Sequence, residues 1–306
     1  MIGGFAMIKL IASDLDGTLL NADSEVSPAN AQAIRDAQAA GIEFIVATGR
    51  NLPQAQPRLS RHGLKPAFIT INGALVYNEA GQVKVHVPLA HDLLLAVLDQ
   101  IDRAGFYCEL VVPDGVVSNS YEHRLADMKH ALRHYHADWS EDQLTEQAKH
   151  RIQYLSTQYV DDYRQFITPK AEILKVVVFA DGGQAALAPL KAQLEAQGSL
   201  AVTSSGENNL EINAQDAQKG PALAAYAALK QITMAEVMAI GDNLNDESMI
   251  RMAKYSVAMA NAVPKIKQLA WHVTGTNVED GVAQAIHRAI ALNEQEKGGE
   301  VNAVLH

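Results

Sequence analysis

The sequence predicts an α/β protein, a doubly wound parallel sheet into which a separate α+β domain is inserted. Three observations carry that prediction. Strand-length apolar runs without helical period occur at Met7–Ser13, Ile42–Ala47, Ala67–Ile71 and Val237–Ile240, the pattern of strands buried on both faces. The first two are joined by a helical stretch, which makes a strand, helix, strand crossover. Between about residues 83 and 213 this rhythm gives way to hairpin signals mixed with helices, as in an antiparallel α+β unit.

Ser27-Pro28 opens the first helix, because Ser caps it and Pro takes a first-turn position where its missing N–H costs nothing. Ala33, Ile34, Ala37 and Ala40 share one face, and Gly41 stops the helix. The strand Ile42–Ala47 ends in Thr48-Gly49-Arg50, and Ala67–Ile71 ends in Asn72-Gly73-Ala74. Val83–Val87 alternates as a half-exposed strand, Asp92–Ala104 reads as a helix, and Phe106–Val112 and Val116–Ser118 flank the turn Pro113-Asp114-Gly115. Ile173–Phe179, Leu200–Thr203 and Leu210–Asn213 read as strands, with a helix over Gln184–Gln197. Lys219-Gly220-Pro221 opens an alanine-rich helix to Lys230, and Val237–Ile240 ends in Gly241-Asp242-Asn243-Leu244-Asn245-Asp246. Short strands at Val257–Met259 and His272–Thr274 and a helix from Asp280-Gly281 to Leu292 complete the pattern. The expected division is a discontinuous core, 7–82 with 214–292, an inserted domain, 83–213, and a polar C-terminal tail, 293–306.

Composition narrows the function. The 306 residues suit about two domains, and 48% hydrophobic content can fill both cores. A net charge of -10 argues against a nucleic-acid partner, which calls for a basic patch. No run approaches the length of a membrane span, and Met1–Ala6 lacks the basic start and cleavage pattern of a signal peptide. The single cysteine, Cys108, rules out an intrachain disulfide and reads as a small buried hydrophobe; a reducing, cytoplasmic location is expected. His123, His130, His134 and His136 lie on one helix-like stretch, but no cysteine or carboxylate completes a metal pattern, so a solvated helix face is expected.

The chemistry is expected at Asp14-Leu15-Asp16-Gly17-Thr18-Leu19, where two carboxylates follow the first strand. Open parallel sheets bind ligands beyond the carboxyl ends of their strands. A calcium loop fits Asp14, Asp16, Thr18 and Glu25 by spacing, but Leu19 stands where glycine is required and a strand precedes the loop. A plain polar turn is the other reading of the stretch alone. The wider pattern goes beyond both, because parallel pairing brings Asp14 and Asp16, Thr48, Asn72, and Asp242 with Asp246 to one sheet edge. Four carboxylates in one crevice call for a compensating cation, and a hard divalent ion such as Mg²⁺ suits oxygen ligands beside phosphate. Thr48, the glycine amides and Lys219, at a helix N-terminus, supply donors and positive charge for a phosphoryl group.

These four motifs, in this order, resemble those of the haloacid dehalogenase (HAD) superfamily of phosphohydrolases. The insert's position, with Asn72-Gly73-Ala74 and Val257-Ala258-Met259-Ala260-Asn261-Ala262, is similar to the Cof-type sugar phosphatases with a large inserted cap (class IIB). Ala260 departs from the glycine many relatives carry there. The resemblance spans Met7–Leu292 and implies a Rossmann-like core and a Mg²⁺-dependent phosphomonoester hydrolase acting on small phosphorylated metabolites, sugar phosphates in particular. It makes Asp14 the nucleophile that forms an aspartyl-phosphate, and Asp16 the acid and base. Leu15, Thr48, Gly49, Lys219 and Asn245 would surround the phosphate, while Asp14, the Asp16 backbone carbonyl, Asp242 and Asp246 would hold the metal. A sugar phosphomutase would use the same aspartate pair, and a non-catalytic phosphometabolite-binding protein would keep only the binding groups. A dinucleotide oxidoreductase is disfavoured, since neither Gly-x-Gly-x-x-Gly nor a P-loop sequence is present. The insert is expected to act as a substrate-selecting lid, linked to the core near Tyr77–Gln82 and Asn213–Gln218.

Overall fold

The computed structural model describes residues 6–154, 156–168 and 170–304. The chain divides into two compact units, one of residues 1–50, 55–86 and 218–306, the other of residues 51–54 and 87–217.

The first unit begins with β1 (Leu10–Asp14), buried throughout. After a tight turn comes α1 (Pro28–Ala39), whose Ser27 cap accepts a hydrogen bond from the Asn30 N–H at 3.0 Å. β2 (Glu43–Ala47), α2 (Leu52–Ser60), β3 (Ala67–Thr70), β4 (Leu75–Tyr77) and β5 (Val83–His86) follow. Two of these depart from the sequence reading. α2 is not among the elements read from the sequence; it holds Pro53 in its first turn, where no N–H is needed, and Pro57 further along. The stretch 77–82, expected as a link, is the β4–β5 hairpin turn, with Asn78 N–H donating to the Gln82 carbonyl at 3.0 Å.

The second unit comprises α3 (His91–Ala104), β6 (Tyr107–Val112), β7 (Gly115–Ser118), α4 (Tyr121–Tyr135), α5 (Glu141–Tyr154), β8 (Thr157–Tyr159), α6 (Tyr163–Phe166), β9 (Lys175–Phe179), α7 (Gly183–Glu195), β10 (Leu200–Thr203) and β11 (Asn209–Ala214). Its sheet runs β10-β11-β9-β6-β7-β8, antiparallel except between β7 and β8. Alternation along the strands sends Cys108, Leu110, Val176, Val178, Leu210 and Ile212 into one core with the apolar faces of α3 and α7. Cys108 is a buried free thiol there, and burial pushes it up to about 12. The intervening positions, among them Tyr107, Glu109, Lys175 and Glu211, point to the opposite face. α4 and α5 share a smaller core of Leu132, Leu144 and Ala148. On α4, the His123 ring stacks on Tyr107, and just beyond it His136 stacks on Trp139. Among the described residues these histidines join no group able to hold a metal; the side chain of His134 lies outside them.

The chain returns to the first unit with α8 (Lys219–Leu229), β12 (Val237–Gly241), α9 (Glu247–Met252), β13 (Tyr255–Ala258), α10 (Pro264–Leu269), β14 (His272–Val273) and α11 (Gly281–Val304). The eight strands run β14-β13-β12-β1-β2-β3-β4-β5, parallel as far as β3 and antiparallel from β3 to β5. Val83–His86 is thus the edge strand of this sheet, so the expected start of the insert at 83 is corrected to 87, and its end from 213 to 217. An exposed edge strand alternates in either sheet, which is why its pattern misled.

The expected polar tail is also corrected, since α11 continues through Leu292 to Val304. Asn293, buried, returns to the first strand region: its Oδ1 accepts from Ile8 N–H and its Nδ2 donates to the Ile8 carbonyl, each at 2.7 Å. Replacing it would leave two buried main-chain groups unpaired. Asn293→Ala is expected to lower stability by about 1–3 kcal/mol, read as a fall of several degrees in the first unfolding transition on heating.

Candidate active site

β12, β1 and β2 lie side by side in parallel, with Ser13 opposite Ile240 and Asp14 opposite Ala47. Their carboxyl ends therefore place Asp14, the 242–246 loop and Thr48 at one edge. The turn after β1 brings in Asp16 and, at Gly17, a left-handed φ of 75°. A side chain there would be strained, and its Cβ would meet Asp242 Oδ2 at 2.5 Å, so Gly17 is fixed by both backbone and space.

Lys219 opens α8 and is wholly buried. Its Nζ donates to Asp14 Oδ1 and to Asp246 Oδ1, both at 2.6 Å. Gly220 allows α8 to sit this close, because its N–H donates to Ser248 Oγ at 2.9 Å and a Cβ would meet the Ser248 backbone at 2.5 Å. The other oxygen of Asp246 accepts from the main-chain N–H groups of Asp242 and Asn243 at 2.9 and 3.0 Å, which ties the loop into shape. Thr18 Oγ1 donates to Asp242 Oδ1 at 2.7 Å.

The charges do not balance. Burial, then Asp246, holds Asp14 well above the ordinary carboxylate range, against the pull of Lys219. Burial and Asp246 likewise push Asp242 up to about 7, against the hydrogen bond from Thr18. Lys219 is pushed down by burial, but Asp14 and Asp246 outweigh that and hold its ammonium above the ordinary lysine range. One carboxylate oxygen from each of Asp14, Asp242 and Asp246 lies within 4.8 Å of the others, the spacing of a metal-binding group. Oxygen-only donors with surplus negative charge fit a hard divalent cation.

Asp16 stands apart from this triad. Its carboxylate takes two hydrogen bonds from Arg50, Nε to Oδ2 at 2.6 Å and Nη2 to Oδ1 at 2.5 Å. Burial raises Asp16, but the charge and hydrogen bonds of Arg50, with Arg58 beyond, bring it below the usual carboxylate range. Thr48 is buried, its Oγ1 accepting from Arg50 N–H at 3.1 Å and its carbonyl from Asn72 N–H at 3.0 Å. Asn72 (φ 60°) and the buried Ile71 (φ 52°) both take left-handed backbone; for a β-branched residue that is strained and points to a constrained site. Asn245 Nδ2 reaches Asn72 Oδ1 at 3.4 Å. Leu15 buries its side chain and accepts from Leu20 N–H at 2.8 Å, closing the turn, and Gly49 lies between Thr48 and Arg50. Sequence reasoning gave no role to Thr18, Arg50 or Asn261, whose Nδ2 donates to the Gly17 carbonyl at 2.8 Å. All three lay in motifs already singled out, and only their partners were illegible.

A family model for haloacid dehalogenase-like hydrolases matches residues 11–286. The chain belongs to this family. Phosphatase YwpJ of Bacillus subtilis (strain 168) is 31% identical over 279 residues, covering 90% of this chain and 98% of the relative. The 5-amino-6-(5-phospho-D-ribitylamino)uracil phosphatase YcsE of the same organism is 29% identical over 281 residues, 91% and 94% of the two chains. The solved structure of a haloacid dehalogenase-like hydrolase from B. subtilis superimposes with a TM-score of 0.83 at 30% identity, over 92% of this chain and 99% of that one. The protein is a HAD-type phosphatase with the expected α/β fold.

The raised Asp242 gives a test of the site's electrostatics. A carboxyl raised in the folded state keeps its proton where the unfolded chain has lost it, so stability falls as pH rises from the unfolded value to about 7, and the full cost is present above that. In chelator-treated protein, Asp242→Asn is therefore expected to raise the melting temperature relative to wild type at pH 8. The gain should shrink as pH falls below about 7. A wild type equally stable at pH 8 would contradict this account.

Proposed function

We propose that the chain is a Mg²⁺-dependent phosphomonoester hydrolase that acts on small phosphorylated metabolites, sugar phosphates among them, through an aspartyl-phosphate. The observation that carries this reading is the buried Lys219 ammonium bridging Asp14 and Asp246 beside Asp242 at the strand ends. A static ion pair in a core needs one partner; here two carboxylates hold one ammonium and a third lies within 4.8 Å of both, which leaves charge for a cation and then a phosphate to balance. Asp14, Asp242 and the Asp16 main-chain carbonyl would hold the Mg²⁺, with Asp246 behind them. When bound it supplies the positive charge that keeps the triad ionised and offsets a phosphate dianion.

The chain's own groups then divide the work. An Asp14 carboxylate oxygen attacks phosphorus in line, and the bond from phosphorus to the leaving oxygen breaks with its electron pair on that oxygen. Asp16 gives that oxygen a proton, and in the second half takes one from the water that attacks the aspartyl-phosphate, releasing phosphate and restoring Asp14. Thr48, Lys219, Asn245 and the main-chain N–H groups at Leu15 and Gly49 would donate to the phosphoryl oxygens. Asp16 is paired with Arg50 at rest, so its proton transfer requires that pair to open. The curated relative named for a 5-phospho-D-ribitylamino substrate supports a small phosphorylated metabolite here. The lid role of residues 87–217 remains part of the proposal, on the ground that the strand ends offer groups for phosphate and metal but none for a leaving group.

Asp14→Asn removes the nucleophile at nearly constant volume and is expected to abolish phosphate release while the circular dichroism spectrum stays unchanged. Turnover within tenfold of wild type would refute the covalent mechanism. Excess chelator should abolish activity in the wild type and added Mg²⁺ should restore it; full activity in chelator would refute the metal requirement.

A further inference from the structure

We propose that Asn261 and Asn277 are positioning residues that fix the backbone carrying Asp16, so that its carboxyl reaches the leaving oxygen. This rests on the phosphatase reading, under which Asp16 protonates that oxygen. All the groups involved lie in the first unit. The turn after β1 has little regular structure to hold it. Asp16 (φ -83°, ψ 126°) and Gly17 (φ 75°, ψ -2°) interrupt any helical ladder, so its carbonyls need partners from elsewhere. Three of them find an asparagine amide. Asn261 Nδ2 donates to the Gly17 carbonyl at 2.8 Å, Asn277 Nδ2 to the Leu20 carbonyl at 2.9 Å, and Asn30 Nδ2, more loosely, to the Leu19 carbonyl at 3.3 Å.

The first two amides are joined, since the Asn277 main-chain N–H donates to Asn261 Oδ1 at 3.0 Å. Asn261 thus uses both ends of its side chain, and only one orientation serves both partners. A flipped amide would set oxygen against the Gly17 carbonyl and N–H against N–H. The loops that present the pair are themselves tied. Ala260 N–H donates to the Gly275 carbonyl at 3.1 Å, and Gly281 N–H to the Thr276 carbonyl at 3.0 Å. Thr276 Oγ1 donates to Glu279 Oε2 at 2.8 Å.

Burial separates this pair from ordinary core support. Asn30 is buried, whereas Asn277 is half-buried and Asn261 is exposed. A side chain in water adds little to folding stability, so folding alone gives weak reason for the link. Asp16 supplies one. Its carboxyl is bound to Arg50 at rest and must leave that pair to act. A side chain that swings lands on the leaving oxygen only if its Cα stays in place, and a misplacement of about 1 Å can cost about a hundredfold in rate.

The test measures kcat/KM, which reports the breaking of the bond to the leaving oxygen, for full-length, Mg²⁺-supplied protein on a hexose monophosphate and on 4-nitrophenyl phosphate. The sugar oxygen needs a proton to leave; nitrophenolate does not. Asn261→Asp keeps the acceptor for Asn277 N–H but turns an oxygen on the Gly17 carbonyl. It is expected to lower kcat/KM for the hexose monophosphate by roughly tenfold or more. 4-Nitrophenyl phosphate should change by less than about threefold, and the melting temperature by less than about 3 °C. Equal losses on the two substrates would assign the pair a structural role and overturn the proposal, and so would unchanged kinetics on both. If Asn261→Asp fails to fold, Asn277→Ala decides by the same comparison, since it keeps its main-chain N–H and gives up only the Leu20 carbonyl. Asp16→Asn is the reference and should show the same dependence on leaving group, more strongly. If it does not, Asp16 is not the acid, and the ground for a positioning role falls. A wild type that releases phosphate from neither substrate would instead overturn the phosphatase reading.

Discussion

A lysine ammonium with no access to water is held between two carboxylates at the end of a buried sheet, and much of the first unit's architecture serves to make that arrangement tolerable. Burying a charge is costly unless it is paired and hydrogen-bonded. Asp14 can reach Lys219 only if β1 ends where it does, and Asp246 only if its second oxygen pins the 242–246 loop through two main-chain N–H groups. Gly220 lets the helix carrying the lysine approach α9 closely. The same contacts leave Asp14 and Asp242 raised, so the site is electrostatically strained in the absence of a cation. Perturbed titration of this kind concentrates at functional sites because function needs charges where folding alone would not put them.

The two carboxylates of the first motif, two residues apart, have opposite environments. Asp14 sits among acids and is raised; Asp16 is gripped by Arg50 and lowered. Environments that separate a pair of carboxyl groups divide roles between them. In the resting arrangement, however, the lowered member is the one to which the proposed mechanism gives the proton transfer, and in that mechanism Arg50 would have to release it.

Much of this was legible in the sequence. The strands announced themselves by unbroken apolar runs, and the parallel pairing of β12, β1 and β2 then forced Asp14, Thr48 and Asp242 to one edge. Pairings were not legible. That Lys219 is buried, that Arg50 turns back onto Asp16 and that Thr18 holds Asp242 depend on side-chain directions no spacing encodes. Local pattern also failed where two structures share one signature. Val83–His86 alternates as an edge strand would in either sheet, and α2, which holds two prolines, went unread although one of them lies where a helix accepts it. The polar residues after Leu292 read as a tail because a helix held by one buried Asn293 has little apolar periodicity to show.

The order of strands in the larger sheet has a consequence for how the chain is made. β1 is a central strand, yet its neighbour on one side, β12, begins at Val237, after the whole insert. At typical ribosomal speeds the first strands wait roughly 10–45 s for that partner. Throughout that interval an apolar strand exposes an open row of N–H and C=O groups, a template for pairing with a neighbouring nascent chain. The insert, whose sheet is built wholly from residues 107–214, can fold meanwhile and shorten the loop that must close. A late-arriving central partner therefore makes chaperone protection during synthesis matter more for this protein than its native packing alone would indicate.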